Sequence, residues 1–271
     1  MYKTAKCLHC GNEDYTRNMT KIDSPSRNYF YICFYCKDKE YGYSLENPEV
    51  THKQAKHGLT YSIELETSDR NMESNWLYQY NFLPTSDGSI TGPEWKSPIW
   101  RNLSGIKQLL RTIEKKCITD NNCGTHLNIG TYNQEKINMI KKYYHALFVP
   151  LSDYLLNHET DMKRIFGRCF VYYACPINSD SYPLEHRNFI NIEHDTHLEF
   201  RLCKLITADQ YMTCIKMCSE FIKTINNNFI AHYNDHEIDN SIEINSYRLH
   251  KANITAKKLI RIFKKYAAAN V

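Results

Sequence analysis

Polar and apolar residues alternate in three short segments, 61–66, 123–130 and 197–202, and this alternation predicts β-strands with one polar face. Their polar faces carry Glu64 and Glu66, then His126 and Asn128, then Glu199 and Arg201. Carboxylates and imidazoles bind metals, and guanidiniums bind phosphate. We therefore expect one sheet whose open polar face is a functional site. The alternative is an ordinary structural sheet with a solvated face.

A fourth alternating segment, 186–192, places Arg187 and Asn191 on one face and two isoleucines behind them. A short polar turn separates it from the strand at 197–202. Two such strands joined by a short turn predict an antiparallel hairpin.

The segment 86–99 contains a further acidic residue, Glu94, on a short predicted strand. The pairs Asp87-Gly88 and Gly92-Pro93 before it predict turns. Taken alone, Glu94 is a solvated acid in a loop. Alongside Glu64 and Glu66 it becomes a third candidate carboxylate.

Apolar residues at helical spacing predict four helices, over 104–117, 134–148, 207–226 and 255–268. Ser104 and Thr207 are the predicted N-caps of the first and third, and Pro150 is expected to end the second. The last helix has a basic face, which is either solvated or in contact with nucleic acid or an acidic partner. Strands followed by helices predict an α+β fold.

Two C-x-x-C pairs, Cys7 with Cys10 and Cys33 with Cys36, predict a zinc ribbon over 1–45. Four thiolates satisfy a structural Zn²⁺; the alternative is four buried thiols. The polar segment 46–57 is the predicted linker to a main domain over 58–271. Six further cysteines lack metal spacing and are expected to pack as small apolar residues; they are Cys117, Cys169, Cys175, Cys203, Cys214 and Cys218.

Composition excludes several classes of protein. The 271 residues are 42% hydrophobic and 24% charged, which is typical of a folded chain rather than a disordered one. A net charge of +4 does not indicate a nucleic-acid binder. No run approaches 18 apolar residues and the N-terminus lacks an apolar signal core, so we expect a cytoplasmic protein with no membrane partner and reduced thiols.

The predicted polar face concentrates negative charge. Two carboxylates about 4 Å apart repel by about 4 kcal/mol at an effective dielectric of 20. Divalent cations relieve this repulsion, and oxygen ligands with one imidazole suit Mg²⁺ or Mn²⁺. Arginines beside such metals favour phosphoryl transfer from a nucleotide. The glycines form neither a P-loop nor a Rossmann motif.

Five segments in order resemble the amidoligase family of the carboxylate–amine ligase superfamily, which includes glutamine synthetase and glutamate–cysteine ligase. They are E-x-E at 64–66, D-G-S-x-x-G-x-E-x-x-S-P at 87–98, C-G-x-H at 123–126, Arg187 with Asn191, and T-x-x-E-x-R at 196–201. The resemblance spans about 58–225.

The resemblance implies a curved antiparallel sheet packed on helices, with ATP and Mg²⁺ or Mn²⁺ on its concave face. The implied metal ligands are Glu64, Glu66, Glu94, His126 and Glu199. Arg201 and Arg187 would hold phosphate, and Arg168, Asn128 and Asn191 complete the candidate cofactor-binding set. Asn128 departs from the family pattern, which often has histidine there.

The reaction implied by the resemblance joins a carboxylate and an amine. ATP phosphorylates the carboxylate of a small molecule, peptide or protein, and the amine displaces phosphate from the acyl phosphate to give an amide or isopeptide bond. The alternative is a catalytically inactive relative in which the ribbon and the basic last helix bind nucleic acid or protein.

Overall fold

The computed structural model describes residues 4–6, 13–15, 19–23, 29–33, 59–68, 76–77, 80, 82–85, 93–97, 99–100, 103, 106–117, 123–130, 134–172, 174–178, 187–194, 197–231 and 242–269. Within these ranges the chain has mixed α and β structure, with ten strands and six α-helices.

Four short strands near the N-terminus form two antiparallel pairs. β1 (Thr4–Lys6) pairs with β2 (Glu13–Tyr15), and β3 (Met19–Asp23) pairs with β4 (Tyr29–Cys33). Strands in this part of the chain are compatible with a ribbon. Cys7, Cys10 and Cys36 lie outside the described residues, and so does the side chain of Cys33. The predicted linker 46–57 also lies outside them. The zinc site therefore stays a prediction.

Six strands form the central sheet, and each neighbouring pair is antiparallel. Their bounds are β5 (Thr60–Glu66), β6 (Leu83–Thr85), β7 (Glu94–Lys96), β8 (Thr125–Gly130), β9 (Ile190–Asn191) and β10 (His197–Phe200). The spatial order is β6-β7-β5-β8-β10-β9. β8 thus lies inside the sheet, between β5 and β10.

The register of these strands brings the predicted polar residues together. Glu64 of β5 lies opposite His126 of β8, and Glu199 of β10 lies opposite Asn128 of β8. Alternate residues of a strand share a face, so these four side chains project from the same side of the sheet. The predicted hairpin is confirmed as well, since Asn191 of β9 lies opposite Glu199, although the strand is shorter than predicted.

Six α-helices accompany the sheet. They are α1 (Ile106–Lys116), α2 (Gln134–Lys142), α3 (Tyr144–Leu156), α4 (Glu159–Phe166), α5 (Ala208–Ile225) and α6 (Ile242–Ala269). A π-helical turn (Asn226–Ile230) continues α5. The predicted cap of α5 is confirmed, because the Thr207 hydroxyl accepts the N–H of Gln210 at 3.1 Å.

The apolar face of the sheet lies in the hydrophobic core with the helices. Its inward side chains are almost inaccessible to solvent; they are Ile63, Leu65, Trp95, Leu127, Ile129, Leu198 and Phe200. Two hydroxyls tie helices to strands: Tyr211 of α5 donates to the Thr125 carbonyl at 2.9 Å, and Tyr144 of α3 donates to the Ile190 carbonyl at 2.6 Å. The helices thereby fix the sheet from one side.

The helix predicted over 134–148 differs from the structure. It is interrupted at Tyr143, which has φ −111° and ψ 20°, and Pro150 lies inside α3 rather than ending a helix. Buried Leu151 and Leu155 continue the apolar stripe of Leu147 past the proline. Burial of these two leucines contributes roughly 3–6 kcal/mol, which offsets the cost of about 3 kcal/mol for an interior proline.

Two further helices depart from the prediction. α4 lies in a segment for which no helix is predicted. α6 begins at Ile242 rather than near 255. Its first half exposes Leu249 and buries Arg248, so the hydrophobic pattern there does not show a helical stripe. None of the described helices contains a stretch long and apolar enough to span a membrane.

Candidate functional site

His126 lies at the centre of the polar face, with carboxylates on two sides. Its Nδ1 is 3.1 Å from Oε1 of Glu199 and 3.8 Å from Oε2 of Glu64, and its Nε2 is 3.3 Å from Oε1 of Glu66. Only 2% of the His126 side chain is exposed. The predicted convergence of residues from three strands is therefore confirmed.

The two glutamates of β5 are held by Asn128 of β8 and by Gly124, which directly precedes β8. Oε1 of Glu64 accepts a hydrogen bond from Nδ2 of Asn128 at 2.9 Å. Oε2 of Glu66 accepts a hydrogen bond from the main-chain N–H of Gly124. The other oxygen of each carboxylate lies beside a ring nitrogen of His126, at 3.8 Å for Glu64 and 3.3 Å for Glu66.

Glu94 and Lys96 of β7 extend the same face. Glu94 lies opposite Glu66 in the strand register, and Lys96 lies opposite Glu64 with its Nζ 3.8 Å from Oε1. Lys96 was not among the residues predicted from sequence. The signal was present, because Lys96 follows Glu94 by two positions and must share its face in a strand.

Glu199 is held by an arginine and an amide and lies beside a second histidine. Nη1 of Arg201 donates to Oε1 at 2.7 Å and Nδ2 of Asn191 donates to Oε2 at 2.7 Å, while Nε2 of His194 lies 3.7 Å from Oε2. Arg201, with 13% of its side chain exposed, places its cation within the cluster, as predicted.

The protonation of the cluster follows from these contacts. Burial disfavours a charged imidazole, but the carboxylates of Glu199 and Glu64 outweigh this and raise the pKa of His126 to about 9. Burial and the adjacent Glu64 carboxylate raise the pKa of Glu94 to about 8. Burial alone would raise the pKa of Glu64, yet His126 and a hydrogen bond with Glu94 hold it below its ordinary value.

The pKa of Glu199 is also shifted. Burial would raise it, but the charges of Arg201 and His126 hold the pKa of Glu199 well below its ordinary value. Glu199 is therefore a carboxylate at neutral pH, while Glu94 is protonated and His126 is cationic. The cluster balances its charges internally by keeping these two protons.

The donor set fits a divalent cation. Ligand atoms of Glu64, His126 and Glu199 lie within 4.8 Å of one another. Neither ring nitrogen of His126 makes a hydrogen bond, because the nearby carboxylate oxygens do not lie along the N–H directions. Oδ1 of Asn128 is likewise buried without a hydrogen-bond partner. Buried polar atoms are normally satisfied, so these unpaired atoms fit the ligands of a metal ion.

Gly124 has no side chain, and this allows Arg168 and His126 to approach its main chain closely. A Cβ there would lie 2.8 Å from Nη2 of Arg168 and 2.9 Å from Nε2 of His126. Nη2 of Arg168 donates to the main-chain carbonyl of Arg201, and Arg168 is buried. Burial lowers the pKa of this guanidinium, although the Glu66 carboxylate opposes that shift. Arg168 thus positions the end of β10.

Arg187 contacts an aromatic ring. Its Nη1 donates to the Tyr172 hydroxyl at 2.7 Å and its guanidinium lies over that ring at 4.9 Å. The phosphate-binding role of Arg187 stays a prediction. The motif positions 87–92 and Thr196 lie outside the described residues.

The polar face is more enclosed than the predicted open face. His126 and Glu199 are 2% exposed, whereas Glu64 is 15% and Lys96 is 32% exposed. Buried charges persist when they are paired, and here each carboxylate has a cation or a donor beside it. Access from solvent therefore lies on the side of Glu64, Lys96 and Arg201.

Three of the later cysteines pack in the hydrophobic core, as predicted, and the structure adds that they meet in a second cluster. Cys203, Cys214 and Cys218 are all fully buried, and their sulfur atoms lie within 4.8 Å of one another. Sequence spacing alone did not reveal this group, because Cys203 lies outside the helix that carries the other two.

Comparison with known proteins gives no match: no family model, no curated protein and no solved structure matches this chain. The site is therefore interpreted from its own geometry.

Proposed function

We propose that this chain is an ATP- and Mg²⁺-dependent carboxylate–amine ligase, as its motifs' resemblance to the amidoligases implies. The observation that carries the proposal is the meeting of Glu64, His126 and Glu199, from three strands, within 4.8 Å on one sheet face beside Arg201. This arrangement supplies metal ligands and a phosphate-binding cation in one place.

Charge balance supports metal binding at this position. The cluster keeps a proton on Glu94 and a proton on His126. Metal ligands must be deprotonated, so a bound divalent cation would replace those two protons with no change in net charge. The net charge of the site is the same with the metal ion as with the two protons, so the pH determines which of them is bound.

Each side chain has a distinct role in the proposed reaction. Glu64, Glu66, Glu94, His126 and Glu199 would hold Mg²⁺, which supplies charge neutralisation to the ATP phosphates. Arg201 remains partly exposed, so it can donate to the oxygens of the transferred phosphoryl group. Lys96, at the exposed side, adds a second positive charge toward the nucleotide.

The proposed chemistry has two balanced steps. The substrate carboxylate attacks the γ-phosphorus of ATP, the bond to the β-phosphate oxygen breaks, and ADP leaves. The amine then attacks the carbonyl carbon of the acyl phosphate, inorganic phosphate leaves, and the amine loses a proton. Placing both reactants beside Arg201 makes the first step effectively intramolecular.

The test is metal-dependent ATP turnover with a pool of amino acids and peptides. Mass spectrometry should detect a product lighter by one water than its two precursors, together with ADP and phosphate. Glu199→Gln should abolish turnover while circular dichroism stays unchanged. Asp209→Asn is the matched control, since Asp209 is an exposed carboxylate paired with Lys107 outside the cluster.

Two results would overturn the proposal. One is equal turnover in the wild type and Glu199→Gln. The other is the absence of both Mg²⁺-dependent ATP binding and amide product in the folded wild type. The second result, together with salt-sensitive nucleic-acid binding, would favour the inactive relative instead.

A further inference from the structure

Three thiols converge in the hydrophobic core at a distance from solvent. The sulfur atoms of Cys203 and Cys214 are 3.1 Å apart, and those of Cys214 and Cys218 are 4.0 Å apart. All three residues have 0% exposure. Packing alone does not require three sulfur atoms to meet, because any small apolar side chain would fill the same space.

The fold brings these residues together from two short segments. Cys214 and Cys218 are four residues apart on α5, so they share one face of the helix. Cys203 follows β10, and its carbonyl accepts the N–H of Thr125 at 3.0 Å, which fixes its position against β8. The ligands are close in sequence, so they can meet early in folding, before the core excludes solvent.

We propose that Cys203, Cys214 and Cys218 bind one thiophilic d¹⁰ metal ion, either Zn²⁺ or Cu⁺. Metal–sulfur bonds of about 2.3 Å place thiolates around one ion about 4 Å apart. Cys214 and Cys218 already have this separation. Cys203 needs to move from Cys214 by less than about 1 Å, which is within the adjustment of one side-chain torsion.

A disulfide explains the cluster less well than a metal. It would join two of the sulfur atoms and leave the third unused. Soft thiolate ligands select Cu⁺ and Zn²⁺ over the hard cations expected at the carboxylate cluster. The two sites therefore differ in the class of metal that they bind.

The surroundings of Cys203 supply a compensating charge. Burial would raise the pKa of Cys203, but hydrogen bonds with Cys214 and Cys218 and the nearby charge of Arg168 lower it to about 5. With zinc, three sulfur–metal bonds form, the protons that the thiols still carry leave, and the complex has one net negative charge. Arg168 offsets that charge in the core.

The first experiment measures bound metal on the full chain. The protein is unfolded in reductant with a chelator selective for zinc over magnesium, then refolded with Zn²⁺ or with Cu⁺ under anaerobic conditions. Elemental analysis should find one metal ion per chain fewer in Cys214→Ala than in the wild type. Cys169→Ala, at a half-buried cysteine outside the cluster, should keep the wild-type content.

Any ion held by the N-terminal cysteines is present in all three proteins, so it cancels in the comparison. Equal metal content in wild type and Cys214→Ala for both metals would overturn the proposal. So would an unreduced wild-type chain that is two mass units lighter than the reduced one and has two free thiols fewer, when Cys214→Ala shows neither change, because that result places a disulfide in the cluster.

A second measurement covers the case in which Cys214→Ala does not fold. All three tryptophans, Trp76, Trp95 and Trp100, lie in the main domain, so tryptophan fluorescence reports its unfolding in urea. Refolding wild type with Zn²⁺ or Cu⁺ at constant Mg²⁺ should raise the urea midpoint, because the ion binds only the folded state. An unchanged midpoint with both ions would overturn the proposal, and Cys218→Ala should lose the shift.

Discussion

Glu64 and Glu94 form a hydrogen-bonded pair in which Glu94 keeps the proton and Glu64 carries the charge. Both belong to neighbouring strands of one sheet face, where two carboxylates would otherwise repel. The pair makes the site sensitive to pH in a range where isolated glutamates have already lost their protons.

The affinity for Mn²⁺ should rise with pH between about pH 6 and pH 8. The pKa of His126 is about 9 and that of Glu94 is about 8, so both hold protons at the lower pH and must release them to bind metal. Each released proton changes the affinity by about tenfold per pH unit.

Titration calorimetry in buffers of different ionisation enthalpy measures that proton release. Glu94→Gln should release one proton fewer than wild type. An Mn²⁺ affinity that stays constant over this pH range would contradict the exchange of protons for metal.

Lys96→Met should strengthen Mn²⁺ binding and weaken ATP binding. The ammonium lies 3.8 Å from Glu64, so it competes with a metal ion for that carboxylate. Lys96 is 32% exposed, which screens its charge, and we expect changes of only about two- to fivefold. Calorimetric titration with each ligand measures both. Weaker Mn²⁺ binding in the variant would show that Lys96 orders the site instead.

Gly124→Ala should disturb the cluster without replacing any of its ligands. The added Cβ would press on the His126 ring and on the Arg168 guanidinium, both of which are buried. Overpacking of this kind costs about 1–3 kcal/mol of the free energy of unfolding. The urea midpoint and the Mn²⁺ affinity should fall together. Wild-type values of both would mean that the ring and the guanidinium move aside freely.

Arg201→Lys should lower the turnover of ATP by about 100-fold while changing Mn²⁺ affinity by less than tenfold. Lysine keeps the positive charge beside Glu199, but it lacks the planar pair of donors that binds two phosphate oxygens. Steady-state kinetics and metal titration separate the two effects. Arg111→Lys, at an exposed arginine 3.8 Å from Asp209, is the control. Equal losses in both variants would exclude a specific role for Arg201.

The geometry of the site was predictable where it depended on strand periodicity. Alternation placed Glu64, His126 and Glu199 on one face, and a period of two residues leaves no freedom about which face each side chain takes. Predicting that these three side chains lie close together also required the order of the strands in the sheet. Of that order the sequence predicted only the hairpin of β9 with β10, and the resemblance implied no more than an antiparallel sheet.

The features that sequence did not predict depend on packing between distant segments. Pro150 stays inside α3 because buried leucines continue beyond it, and propensity cannot report that burial. The sulfur cluster joins α5 to Cys203, and its spacing matches no familiar ligand motif. The enclosure of the polar face is tolerated because its charges are paired, and residue types alone do not reveal that pairing.

β8 supplies His126 and Asn128, and both of its neighbours in the sheet supply carboxylates. A shift of this strand by one residue would turn the imidazole toward the core and bring Leu127 to the polar side. The site therefore forms only when β8 is paired with both of its neighbours. Heat inactivation and loss of structure should therefore occur at the same temperature, as a single cooperative event.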